Sequence, residues 1–181
     1  MFFGQSEEET RALEAEGRAR LAAGEWAQAI AIASRLIDSS WAGGFELLAL
    51  AQRGMGRHAA ALAGLEEGVK LAPDAGPLWL LLGNLRSDAG DYARAEEAFA
   101  EALRCDREEG CQGISEATLR FNRAVTRERK GDPEGALADL DFVLRLPKPP
   151  AFAEDALWLS MGCLLNLDRG DEARALSVPA A

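Results

Sequence analysis

Few side chains in this 181-residue sequence could carry out chemistry. His58 is the only histidine, so a metal site built on two histidines is excluded, and a Ser-His or Cys-His nucleophile would have to use it. Paired carboxylates such as Glu7/Glu8 and Glu108/Glu109 fall at the ends of predicted helices, where solvation explains them. No glycine cluster follows a predicted strand, as a phosphate-binding loop requires. We therefore expect no enzyme activity, no cofactor and no metal ion.

The remaining candidates are three cysteines, Cys105, Cys111 and Cys163, which lack CxxC spacing. Cys105 and Cys111 could form a disulfide, but free thiols in a reducing cytoplasm are the interpretation that we favour. The N-terminus, MFFGQSEEET, has neither the basic nor the apolar region of a signal peptide. No apolar run approaches the ~20 residues of a membrane span. A net charge of −10 argues against nucleic acid as a partner, because a phosphate backbone is also negative.

Helix signals dominate the rest of the chain, since the good helix formers Ala, Leu, Glu and Arg are abundant in it. Ser6 followed by Glu9 is typical of a capping box, and Asp132 before Pro133 is typical of a helix start. Within residues 76–109 a spaced pattern stands out, made of Trp79, Leu82 and Gly83, then Gly90, Asp91 and Tyr92, then Ala95, Phe99 and Ala102. The pattern recurs, because 34 residues separate both Phe45 from Trp79 and Ala61 from Ala95.

This pattern closely resembles the tetratricopeptide repeat (TPR), a 34-residue helix–turn–helix unit that stacks into a solenoid. Arg86 departs from it, since the family prefers Tyr there. The resemblance implies an all-α fold: a right-handed superhelical solenoid of antiparallel helix hairpins, forming one domain over residues 1–181. We expect about four repeats at 10–43, 42–75, 76–109 and 117–150, and a partial fifth repeat or capping helix at 151–178.

In TPR proteins, ligands lie along a concave groove that is lined mainly by the first helix of each repeat. The resemblance therefore implies a partner-binding face with an apolar strip edged by polar groups. Its members are Arg11, Glu14, Arg18, Glu46, Leu50, Arg53, Leu80, Asn84, Ser87, Asp88, Phe121, Asn122, Val125, Glu128 and Arg129. Two interpretations of Asn84 and Asn122 are equally open: each binds the backbone of a partner peptide, or each faces water or bonds its own helix.

Basic residues concentrate on the first helix of the fourth repeat. They are Arg120, Arg123, Arg127, Arg129 and Lys130. They form either a patch that attracts an acidic partner or a helix surface whose arginines pair with neighbouring helices, which is the interpretation that we favour.

As a function, the resemblance implies a non-catalytic adaptor or scaffold that binds a peptide or helix of another protein. One alternative is a secretion chaperone similar to the class II chaperones of bacterial type III secretion, which agrees with the length and the charge. Another is a structural module that self-associates, because solenoid ends need a polar outer face and this C-terminus has no obvious one. That alternative predicts a homodimer through the C-terminal helices.

Overall fold

The computed structural model describes residues 6–109 and 114–176. Within these ranges all regular structure is α-helical. The ten helices are α1 (Glu7–Ala22), α2 (Trp26–Asp38), α3 (Gly43–Gly54), α4 (His58–Leu71), α5 (Gly76–Asp88), α6 (Tyr92–Glu109), α7 (Glu116–Lys130), α8 (Pro133–Leu144), α9 (Ala153–Asn166) and α10 (Gly170–Ala175).

One turn geometry recurs between the two helices of every pair. A residue with positive φ stands in each connection: Gly24 (73°), Gly56 (72°), Gly90 (80°), Gly131 (85°) and Asp168 (58°). The next residue donates its N–H to the carbonyl five positions back, over 2.8–2.9 Å in all five turns. This bond satisfies a carbonyl at the end of the first helix, and glycine enters the left-handed region without a Cβ clash. Each turn therefore ends the first helix of its pair, and the second helix begins two residues after the positive-φ residue.

The first compact unit extends to Leu85, and in it α1 packs on α2, α2 on α3 and α3 on α4. Its core includes the buried side chains of Leu13, Ile32 and Leu36. Glycines let these helices approach closely, since a Cβ added to Gly17 would lie 2.3 Å from a methyl carbon of Leu47. The first helices of successive pairs, α1 and α3, are thereby in direct contact.

The second compact unit begins at Arg86. Here α6 packs on α7, α7 on α8, α8 on α9 and α9 on α10. Small side chains occupy much of its core, namely Ala117, Ala124, Ala136, Ala156 and Cys163, together with Leu140 and Val143. Three half-buried phenylalanines, Phe121, Phe142 and Phe152, pack against this cluster.

The helix starts predicted from sequence are confirmed. Ser6 donates its N–H to Glu9 Oε2 over 2.9 Å, and the N–H of Glu9 donates to Ser6 Oγ over 3.2 Å, which completes the capping box. Asp132 Oδ1 accepts from the N–H of Gly135 at 2.9 Å. Cys105 is buried, but Cys111 lies outside the described residues. The redox state of these two thiols, the single domain and the repeat boundaries stay predictions.

Candidate partner-binding face of the first helices

In the first unit, three charged residues of the predicted face bind one another. Arg18 Nη2 lies 2.9 Å from Glu14 Oε1 and 3.1 Å from Glu46 Oε2, which joins α1 to α3. The indole N–H of Trp41 donates to Glu14 Oε2 over 2.6 Å. Burial opposes the charged form of Arg18, but hydrogen bonds to Glu46 and Glu14 outweigh it and raise the pKa of its guanidinium. These charges are therefore satisfied within the molecule.

The other members of the face in this unit are less constrained. Arg11 is exposed and pairs with Glu7 on its own helix over 2.6 Å, and Arg53 is exposed. Leu50 and Leu80 are half-buried. Asn84 is also half-buried, and the hydrogen bonds of the described residues include none to its side-chain amide. Within residues 6–109 and 114–176 its donor and acceptor therefore have no partner, and Leu80 lies one helical turn before them.

In the second unit, the predicted residues of α5 contact α7. Asp88 Oδ1 lies 3.1 Å from Arg129 Nη1, an ion pair between two predicted members of the face. Ser87 is buried, and its hydroxyl lies 2.9 Å from that of Thr126. The Ser87 hydroxyl therefore has its partner inside the molecule, whereas the Asp88–Arg129 pair lies on the surface.

Four further members lie on α7 itself. Phe121 packs on Phe152 with ring centroids 4.9 Å apart, so part of its apolar surface is covered. Val125 and Glu128 are half-buried. Asn122 Nδ2 donates to the carbonyl of Thr118 over 2.9 Å, which is the bond to its own helix that the sequence left open. Asn122 thus differs from Asn84, because one of its amide protons is already used.

The basic residues of α7 surround a buried carboxylate on α8. Asp139 has a side chain that is 2% exposed. Arg123 binds it with two nitrogens, Nη2 at 2.6 Å from Oδ1 and Nε at 2.8 Å from Oδ2, and this bond raises the pKa of Arg123. Arg127 Nη1 adds a contact of 2.9 Å to Oδ2 and one of 3.1 Å to the carbonyl of Gly135. A carboxylate with this many charge-assisted bonds fixes how the two helices dock.

The remaining basic residues of α7 are paired as well. Arg120 lies 2.7 Å from Glu116, and its guanidinium carbon lies 4.1 Å from the ring centroid of Phe142. Glu96 on α6 accepts from Lys130 at 2.7 Å and from Arg127 at 3.0 Å. With Arg129 held by Asp88, each of the five basic residues has an acidic partner. The charges therefore hold α6, α7 and α8 together, as the favoured interpretation expected.

Sequence reasoning missed Asp139, although a signal was present. On α8 it falls on the stripe of Ala136, Leu140 and Val143, all fully buried. A carboxylate on an apolar stripe demands a cationic partner. The five basic residues one helix earlier were the candidates for that partner.

The face predicted from sequence also includes no residue of α9. Trp158 and Leu165 are 57% and 59% exposed. Trp158 precedes the left-handed residue of its turn by the same number of positions as Leu80 and Phe121 precede theirs. It therefore occupies the register of the predicted face.

Across residues 6–109 and 114–176, no three His, Cys, Asp or Glu side chains group as a metal ion would require. None of the helices described there is long and apolar enough to cross a membrane.

Comparison with known proteins identifies the repeat. The family model described as "Tetratricopeptide repeat" matches residues 76–109. Protein FlbA of Caulobacter vibrioides is 32% identical over 121 residues, which cover 64% of this chain and 19% of FlbA. The chain thus spans about a fifth of that relative's length.

Two solved structures show the fold. MamA AMB-1 superposes with a TM-score of 0.71 at 17% identity, over 91% of this chain and 92% of MamA. TTC0263, a thermophilic TPR protein of Thermus thermophilus, superposes with a TM-score of 0.67 at 22% identity, over 88% and 84% of the two chains. The TPR fold serves as a scaffold for protein–protein interaction. The sequence-based resemblance is confirmed: residues 76–109 are a tetratricopeptide repeat, and the chain has the all-α fold of TPR solenoid proteins.

Proposed function

We propose that this chain is a non-catalytic scaffold that binds a peptide or helix of another protein along the first helices of its pairs. The proposal rests on the environment of the Asn84 side chain. It is half-buried on α5 and has no hydrogen-bond partner among the described residues. A carboxamide offers one acceptor and two donor protons, which match the carbonyl and N–H of a peptide bond.

The surroundings of Asn84 in the first unit suit such a ligand. Leu80 lies one helical turn before it and is half-buried, as is Leu50 on α3. Together they provide apolar area for a partner side chain, while the amide binds the partner's backbone. Glu14, Arg18 and Glu46 are engaged with one another, so we assign them to shaping the face rather than to binding.

Residues of the second unit support the same role. Val125 is half-buried on α7, and Phe121 keeps part of its ring accessible beside Phe152. Asn122 uses one amide proton within its helix, which leaves the other proton and the oxygen for a ligand. We therefore rank Asn122 below Asn84 as a contact.

The experiment is a pull-down from the native host, followed by affinity measurement on the captured partner. Asn84→Ala removes both the donor and the acceptor, and two lost hydrogen bonds correspond to about tenfold weaker binding or more. Asn122→Ala should weaken binding less. Gln28→Ala is the matched control, because it removes an exposed carboxamide from a second helix, α2. If Asn84→Ala binds the partner as tightly as the wild type does, the proposed face is wrong.

Two narrower alternatives remain predictions. A secretion chaperone rests on length and charge, and no contact in the structure bears on it. Self-association through the C-terminal helices depends on the exposed surface of α9. A bacterial cytoplasm as the location of the protein is likewise a prediction from the sequence alone.

A further inference from the structure

The exposed side of α9 carries an apolar stripe that no described residue of the second unit covers. Trp158, Gly162 and Leu165 follow at the spacing of one helix face, and the two large side chains are more than half exposed. A Cβ added to Gly162 would meet no atom within 4 Å. The stripe therefore has a shallow centre between two large apolar side chains, and another helix could approach it closely.

Carboxylates lie at one end of this stripe. Glu154 and Asp155 stand in the first turn of α9, one turn before Trp158. Both are exposed, and no cation among the described residues forms an ion pair with either. The two arginines of the last helix pair are already held, Arg169 by Glu172 and Arg174 by Asp171. The apolar stripe is thus bordered by two carboxylates that no cation of the described residues neutralises.

We propose that this stripe docks a basic amphipathic helix of a partner protein. Apolar residues of that helix would pack on Trp158 and Leu165 across Gly162. Its Lys or Arg side chains would reach Glu154 and Asp155, and a cation can also stack on the Trp158 indole. The inference rests on the function proposed above and names the chemistry of its partner, because Trp158 occupies the register of the predicted face on a helix that the sequence analysis left out of it.

Charge selects this occupant over a second copy of the chain. Residues 151–176 contain five acidic and two basic side chains, and the whole chain carries a net charge of −10. A second copy would offer these carboxylates no free arginine from its last helix pair, since Arg169 and Arg174 are already paired, and the net charge of each copy opposes encounter. A basic helix would instead be attracted to the acidic end and would neutralise it.

The test uses the full chain and two synthetic helical peptides of about five turns. Both carry leucines at the same positions along one face, and their remaining positions are Lys in one peptide and Glu in the other. We expect only the Lys peptide to bind in calorimetry. Trp158→Ala should weaken its binding about tenfold or more. Glu154→Gln/Asp155→Asn should weaken it at low salt and flatten its salt dependence.

Matched controls separate this surface from general attraction to an acidic protein. Leu71→Ala removes a side chain that is 68% exposed on α4, and Glu67→Gln/Glu97→Gln removes two exposed carboxylates elsewhere. Both should bind the Lys peptide as the wild type does. The pull-down with Asn84→Ala is a separate measurement, so the proposed function can stand where the α9 proposal fails. Equal binding by Trp158→Ala and wild type would overturn the proposal. A dimer in sedimentation that Trp158→Ala dissociates would also overturn it, by showing that a second copy covers the stripe.

Discussion

Removing the Asp139 carboxylate should be among the most damaging single substitutions in the second unit. In Asp139→Ala, Arg123 and Arg127 lose their shared partner while only 17% and 21% exposed. Breaking a buried ion pair by deleting one member costs about 3–5 kcal/mol, because the other charge stays buried. The two arginines keep some access to water, and Arg127 keeps Glu96, so we expect about 3 kcal/mol. Asp139→Leu should cost a similar amount, since the loss comes from the unpaired guanidinium groups.

Asp141 supplies the control, because it lies on α8 two residues later and also pairs with an arginine. Its partner Arg145 is 2.7 Å away, but the two side chains are 56% and 78% exposed. Such surface pairs contribute about 0–1 kcal/mol, so Asp141→Ala should change stability little. The assay is urea unfolding followed by circular dichroism, with the midpoints compared at equal slope. If the two variants unfold at the same urea concentration, the buried network does not stabilise the unit and the reasoning fails.

Two further predictions concern a glycine pair and pH. Gly68→Ala should destabilise the protein, because the added Cβ would lie 2.8 Å from the Phe45 ring. Gly162→Ala should stabilise it by about 0.5–1 kcal/mol, because no atom lies near the added Cβ and Ala favours the helix more than Gly does. Thermal midpoints of the two variants that shift in the same direction would contradict the packing. Burial raises the pKa of Glu96, but hydrogen bonds from Lys130 and Arg127 outweigh it, so its folded pKa is lowered. The stabilisation it contributes is then present above its unfolded pKa of about 4.3 and is lost as pH falls through the folded value. Urea unfolding should be measured between pH 3 and 6, roughly the range that brackets that pKa. As the pH falls, Glu96→Gln should lose less free energy of unfolding than the wild type does. Parallel plots of the free energy of unfolding against pH would refute the assignment.

The helix starts and turns could be predicted from sequence because local chemistry determines them. Ser6 caps α1 through its own neighbours, and Gly131 is the residue type that a left-handed turn favours. Asp139 on an apolar stripe indicated a cationic partner, but which of the α7 arginines binds it could not be predicted, since long side chains reach several helices and packing selects among them. The exposure of Trp158 could not be predicted either. Its residue type predicts burial, and only the arrangement of its neighbours leaves it exposed. Whether the predicted face binds a partner depends on a second molecule.

The recurring turn also bears on how the chain folds. In both units the contacts join consecutive helices, or the first helices of successive pairs, so contacting residues are close in sequence. Chains with such local contacts lose little loop entropy before packing is gained, and they fold fast for their size. Each turn closes through one backbone bond of 2.8–2.9 Å, from Glu25 to Arg20 in the first pair and from Arg169 to Leu164 in the last. Folding can therefore nucleate at more than one helix pair and spread to the next.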